Sequence, residues 1–180
     1  VIAVSAERRK AGMVELNCET DFVARTDTYQ AFARSLAEQV MESGEGNVEK
    51  LKAAKAKSDP QHTVAEAIAA QIATIGENIL LSRVAALTAG ADMQLASYLH
   101  MGGKIGVLVE LSAAADGENV KDVAMHVAAA EPRFVSRDEV PQAVIEEERE
   151  IARGQAAATG KPAQVIEKIV DGKIGKFFEQ

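Results

Sequence analysis

Tryptophan is absent from this sequence, cysteine occurs once and histidine three times in 180 residues. Each scarcity removes a class of chemistry. With Cys18 alone, neither an intrachain disulfide nor a cysteine zinc cluster can form. His62, His100 and His126 are scattered without an HExxH pair. No structural zinc and no cofactor are therefore expected, and a reducing cytoplasm fits the cysteine usage. Long apolar runs are also missing: none approaches the roughly 20 residues that span a bilayer, and the opening VIAVSAERRK is too short for a secretory apolar segment, so no membrane role is expected. Basic residues are in deficit, with 20 Lys and Arg against 27 Asp and Glu and a net charge of -7. That sign argues against binding nucleic acid through its phosphates and leaves a protein as the expected partner. There is no initiator Met and the chain stops at FFEQ, which together suggest a fragment.

What is present describes a folded protein. Hydrophobic residues make up 47% and charged ones 26%, the balance of an ordinary soluble chain rather than a disordered tail. The length suits one large domain or two small subdomains. The apolar start around Ile2 and Val4, a Lys10-Ala11-Gly12 turn and an alternating strand through Cys18 read as a hairpin. A helix is expected from Asp21 to Glu42, closed by Ser43-Gly44-Glu45-Gly46, and a short charged helix from Val48 to Lys57, broken by Ser58-Asp59-Pro60. Thr63 caps the next helix, Glu66 completes a capping box and Gly76 ends it. Ile79 to Leu87 reads as a third strand that pairs with the opening hairpin. Leu95 to Met101 and Lys104 to Leu111 read as a second hairpin around Gly102-Gly103, followed by a helix from Val120 to Ala130.

The last third changes character. Val140, Val144, Ile145 and Ile151 mark one helix, and Val165, Ile166, Ile169, Val170, Ile174 and Phe177 another, with Gly160 and Pro162 between them in the order of an antiparallel helical hairpin. Were it to project, its tip at Gln155 to Lys161 could reach a partner. The pattern as a whole is α+β: small antiparallel sheets packed with helices in two subdomains, residues 1–90 and 91–136, plus the helical hairpin, 137–180.

Several groupings mimic sites. Gly102-Gly103-Lys104-Ile105-Gly106 lacks the spacing of a phosphate loop and suits a hairpin turn. Ser97 and His100 are an odd number of residues apart, so on a strand they point to opposite faces. Glu146, Glu147, Glu148 and Glu150, with Arg149 and Arg153 among them, read as a solvated helix face. No nucleophile, base and oxyanion site come together, and no catalytic residue is assigned.

The segment Val14 to Arg25, VELNCETDFVAR, is the most informative. An alternating strand runs into a helix start, with Thr20 able to cap and Asp21 favoured in the first turn by the helix dipole. Phe22 has two readings. With Thr26, Tyr29, Ala33, Leu36 and Val40 it falls on one helical stripe and could face the core; alternatively it stands exposed at the corner.

The string NCETDFVAR resembles the signature of the elongation factor Ts family, nucleotide-exchange factors for the translational GTPase elongation factor Tu. Ile75-Gly76-Glu77-Asn78-Ile79 and SYLHMGGKIGVLVEL from Ser97 to Leu111 are similar to that family in the same order. The resemblance implies a missing N-terminal helical module, a C-terminal continuation that leaves 91–136 incomplete, and a coiled-coil arm at 137–180. It implies that Thr20, Asp21, Phe22 and Val23, together with Ile75, His100 and Gly102, face the GTPase. Asp21 and Phe22 would insert between helices near the GTPase's magnesium site. It leaves open a homodimer or a heterotetramer with the GTPase. Composition and periodicity alone would equally suit a non-catalytic adaptor that assembles through its helical hairpin.

Overall fold

A computed structural model of the chain describes residues 1–158 and 160–179. These fall into two units, Val1–Ala129 and a second from Ala130 onward. In chain order the first contains β1 (Ile2–Val4), β2 (Lys10–Asn17), α1 (Asp21–Ala24), α2 (Asp27–Ser43), α3 (Val48–Ala53), β3 (Lys55–Ala56), β4 (Asp59–Thr63), α4 (Val64–Ile75), β5 (Leu80–Thr88), β6 (Met93–His100), β7 (Ile105–Ser112) and α5 (Gly117–Ala130). The architecture is α+β, as the pattern predicts.

The main sheet is antiparallel with the order β1-β2-β5. The central strand β2 pairs Gly12 with Ala86 and Val14 with Val84. Its register then shifts: Glu15 faces Arg83 but Leu16 faces Leu81, so Ser82 is an extra residue, a β-bulge that bends β5 near the end of β2. One face of the sheet is covered by α2, whose Tyr29, Phe32, Ala33, Leu36, Ala37 and Val40 are buried at helical spacing. They pack with Val14 and Leu81 of the sheet, Leu51 of α3, and Val64 and Ile68 of α4.

Helix and strand are in close backbone approach at Gly12, where an added Cβ would lie 2.3 Å from the Ala37 carbonyl oxygen and 2.4 Å from the Met41 nitrogen. This corrects the sequence reading of Lys10-Ala11-Gly12 as a turn. The chain reverses earlier, where Ser5 accepts from the Arg8 amide at 2.9 Å and its own amide donates to the Lys10 carbonyl at 2.8 Å. Gly12 serves close packing instead, a second use of glycine that sequence alone does not distinguish from turning.

Two helices also differ from expectation. The helix expected over Asp21 to Glu42 is broken at Arg25 and Thr26, because Thr26 is extended and caps α2 through its hydroxyl, which accepts from the Tyr29 amide. The core stripe accordingly begins at Tyr29, and Phe22 and Thr26 lie outside it. The helix expected over Val48 to Lys57 ends at Ala53, since Lys55 and Ala56 form a ladder with β4. Asp59-Pro60 opens β4 instead of only breaking a helix; Pro is tolerated in such a two-stranded, edge-like ladder. The capping box at Thr63 and Glu66 forms as predicted, and Gly76 ends α4 in the left-handed conformation at φ 79°.

β6 and β7 form the second hairpin, paired from Met93 with Ser112 to His100 with Ile105 and closed by a left-handed turn, Met101–Gly103. α5 packs on it through Val120, Ala124 and Ala128 against Ala96 and Val107. β7 lies close to the main sheet: a Cβ at Gly106 would be 3.0 Å from the Met13 sulfur. Ala11, Ala89 and Leu95 form a small shared core. The guanidinium of Arg9 donates to the carbonyls of Ala89, Ala91 and Met93 at 3.2, 3.0 and 2.9 Å, fastening the connection from β5 to β6.

The second unit is an antiparallel hairpin of α6 (Gln142–Ala157) and α7 (Ala163–Phe177). Its seam is made by Ala152, Val170 and Ile174, flanked by Ile145, Ile166 and Phe178. Arg149 pairs with Asp171 at 2.9 Å and Arg153 with Glu167 at 3.0 Å. Val140 precedes the helix, and Ile151 and Val165 are exposed, so the seam differs from the predicted apolar set. Ala152 and Ala156 supply the buried face of α6 instead. The tip at Gln155 to Lys161 includes Thr159, which lies outside the described residues. Among the described residues no helix is long and apolar enough to cross a membrane.

Gly12→Ala is expected to destabilise the first unit by about 2 kcal/mol or more, because the clash is with helix backbone that no rotamer change relieves. Urea unfolding would register this as a lower midpoint at unchanged slope. Tyr29 supplies a second prediction. Its hydroxyl donates to the Leu16 carbonyl at 2.6 Å, and burial, with the Cys18 sulfur and Glu77 nearby, pushes its pKa well above the ordinary tyrosine value. A raised folded-state pKa contributes stability that is fully present below the unfolded pKa, about 10, and is lost as pH climbs beyond it. Tyr29→Phe should cost about 1 kcal/mol at neutral pH and make the alkaline fall in stability shallower, both readable from urea melts at neutral pH and above pH 10.

Candidate functional site

The site is the turn from β2 to α2. Past Asn17 the chain leaves the ladder, and Thr20 adopts an extended conformation (φ -125°, ψ 149°) with its hydroxyl accepting from the Val23 amide at 3.3 Å. This is the N-cap predicted from the sequence. A second cap follows at Thr26, whose hydroxyl also donates to the Val23 carbonyl at 2.8 Å. The Gln30 side-chain amide donates to the Ala24 carbonyl. α1 is thus a single turn held at both ends, a necessary arrangement because four residues cannot sustain a helix alone.

Val23 points inward and packs against the main core. Successive helix residues are rotated by about 100°, so fixing Val23 inward turns Asp21 and Phe22 outward. Phe22 is 86% exposed, which decides between its two sequence readings in favour of the corner. The Asp21 carboxylate is also exposed, with the Lys104 ammonium at 3.4 Å and the Arg25 guanidinium at 3.8 Å. Pairs this open to solvent contribute little to stability. Lys104 belongs to the turn between β6 and β7, so the corner and the tip of the second hairpin adjoin each other.

At that tip His100 is exposed, its Nδ1 3.0 Å from the Tyr98 hydroxyl and its ring 5.7 Å from the Tyr98 ring centre. Gly102 has φ 68° and Gly103 φ 96°, the left-handed values the turn requires. Met101 is 65% exposed beside them, and Leu99 is exposed too. Ile75 is half-buried in the last turn of α4 and packs against the main core, the same cluster that Val23 joins. The structure gathers Thr20, Asp21, Phe22 and Val23 beside the tip carrying His100 and Gly102, and Ile75 joins Val23 in packing on the main core.

One residue at the corner was not singled out by sequence reasoning. The Glu77 carboxylate accepts from the Glu19 amide at 3.1 Å, the Thr20 amide at 3.0 Å and the Thr20 hydroxyl at 2.6 Å. In return, Glu19 accepts from the Asn78 amide at 3.2 Å. Glu77 stands directly after the left-handed Gly76, and the sequence signals it only as a member of the family-like block Ile75 to Ile79, with no role attached.

Comparison with known proteins bears on the family to which the chain belongs. The family model described as elongation factor TS matches residues 19–180. An elongation factor Ts from Deinococcus radiodurans is 46% identical over 180 residues, covering 100% of this chain and 66% of the relative. One from Trichlorobacter lovleyi is 42% identical over 184 residues, covering 98% of this chain and 59% of the relative. A third, from Thioalkalivibrio sulfidiphilus, is 43% identical over 180 residues and is covered to 60% of its length. The chain thus spans between about three fifths and two thirds of the length of the curated relatives it matches. A family match that starts just before Thr20 and takes in the corner, the second hairpin and the helical hairpin leaves one conclusion: the chain belongs to the elongation factor Ts family.

Proposed function

We propose that this chain promotes release of guanine nucleotide from the GTPase elongation factor Tu, with the Asp21-Phe22 corner as the element that presses on the partner. The observation that carries this reading is the exposure of Phe22 on a turn fixed at both ends. An exposed phenylalanine forgoes roughly 1.5–3 kcal/mol of burial free energy. A turn already fixed in its backbone presents the ring to a partner, so the ordering cost on binding is confined to the side chain.

The chemistry required is modest. A GTPase holds its nucleotide through a phosphate-binding loop and an octahedral Mg²⁺ that bridges the phosphates and keeps several waters. Magnesium tolerates little distortion, so a wedge that displaces its supporting residues by about an ångström weakens the nucleotide. No bond is made or broken, and in this reading the chain is not an enzyme. Thr20 and Val23 hold the wedge, Asp21 and Phe22 touch the partner, and His100 and Gly102 supply a second contact at the adjoining tip. Partner recognition runs through protein surface rather than nucleic acid, in keeping with the net charge of -7.

Magnitudes support a wedge over a salt bridge. Coupling is reciprocal: the factor by which the chain weakens nucleotide binding is the factor by which nucleotide weakens binding of the chain. A roughly 10⁴-fold coupling needs about 5.5 kcal/mol. An exposed ion pair such as Asp21 with Lys104 contributes at most about 1 kcal/mol, whereas a buried aromatic hot spot reaches roughly 2–4 kcal/mol.

Stopped-flow release of fluorescent GDP from elongation factor Tu tests the reading. Phe22→Ala is expected to slow chain-stimulated release by at least about tenfold, with helicity and thermal midpoint unchanged because the ring touches no core. Stimulation equal to that of the unsubstituted chain would remove Phe22 from the mechanism.

A further inference from the structure

We propose that Glu77 is a positioning residue for the Asp21-Phe22 corner, an inference that rests on the exchange reading above. Three donors from Glu19 and Thr20 converge on its carboxylate, two amides on Oε2 and the Thr20 hydroxyl on Oε1. Residues 18–20 lie between the last ladder pair, Asn17 with Leu80, and the start of α1. Nothing in the sheet fixes their backbone. Consecutive amides normally point in different directions, so a single acceptor that binds both selects one local conformation. A carboxylate suits this, since it accepts only and has lone pairs for all three donors.

The hydroxyl carries the effect forward. Thr20 Oγ1 has one proton, and Glu77 takes it at 2.6 Å. Its lone pairs are then turned toward α1, where one accepts from the Val23 amide. Glu77 thereby sets the cap, the cap sets the start of α1, and α1 sets the direction of Phe22. Glu77 is itself held from behind: Gly76 turns the chain at φ 79°, Asn78 is bound by Glu19, and Ile79 is buried. The cations near Asp21 come from Lys104 and Arg25 and do not contact Glu77.

Because Glu19 and Thr20 are at the surface, their amides can turn to water when Glu77 is replaced. The fold then persists while the corner loses its single conformation, which separates positioning from general stability. The test uses Glu77→Gln and Glu77→Ala in two measurements. In the free chain, the amide proton resonances of Glu19 and Thr20 should move upfield in both variants while those of α4 and β5 stay in place. In fluorescent-GDP release from elongation factor Tu, the rate at saturating chain should fall about ten- to a hundredfold, with a smaller change in the half-saturating concentration. Amide resonances that stay in place would overturn the proposal. So would displaced resonances with a full maximal rate, which would mean that the clasp orders a loop the partner does not read. Failure of the unsubstituted chain to speed release would overturn the exchange reading and this inference with it; failure confined to the variants' predicted loss would overturn the inference alone.

Discussion

Everything at the exposed corner depends on α2 lying directly on β2. The two run antiparallel in near backbone contact, with Gly12 beneath Ala37 and Met41 at one end and the Tyr29 hydroxyl on the Leu16 carbonyl at the other. Once these contacts are made, the end of β2 and the start of α2 are fixed in space. The segment from Cys18 to Thr26 has to join them, and it does so with one helical turn and two threonine caps. The corner is a consequence of helix-on-strand packing before it is anything else.

This origin resolves an apparent conflict between stability and exposure. A four-residue helix is far below the length at which helices hold themselves, and an outward phenylalanine adds nothing to the core. Local hydrogen bonds compensate: Thr20, Thr26, Gln30 and Glu77 together satisfy loose backbone groups of the turn, and Cys18 and Val23 tie it to the interior. Rigidity therefore comes from hydrogen bonds at the surface, and the aromatic ring is left out of the account.

Much of this was legible in the residues. Alternation marked β2, the Thr63-Glu66 box and Gly76 marked both ends of α4, and Gly102-Gly103 marked the second hairpin turn. Each of those signals is local. Most of the failures were non-local, and the cap at Thr26 is the local exception. Gly12 looks like a turn residue until the helix above it is known, and Thr26 looks like one more stripe position until the chain is seen to bend there. The exposure of Phe22 could not be read from periodicity, because one ring at the start of a stripe fits either face. Lys55 and Ala56 leave the helical pattern for a partner strand further on. Of the candidate site, the corner and hairpin tip were legible by family likeness, whereas the grip of Glu77 on residues 57 and 58 positions earlier was not.

The close seat of β7 on the main sheet, with Gly106 against Met13, bears on recognition in a further way. It places the hairpin tip and the corner on one body instead of on two separately mobile loops, with Lys104 reaching Asp21 across the join. For any partner broad enough to cover both, engagement of the first contact delivers the second at high effective concentration. Orientational entropy is then lost once for two contacts rather than twice. The glycine that lets β7 sit against Met13 is thus what would make two such contacts bivalent.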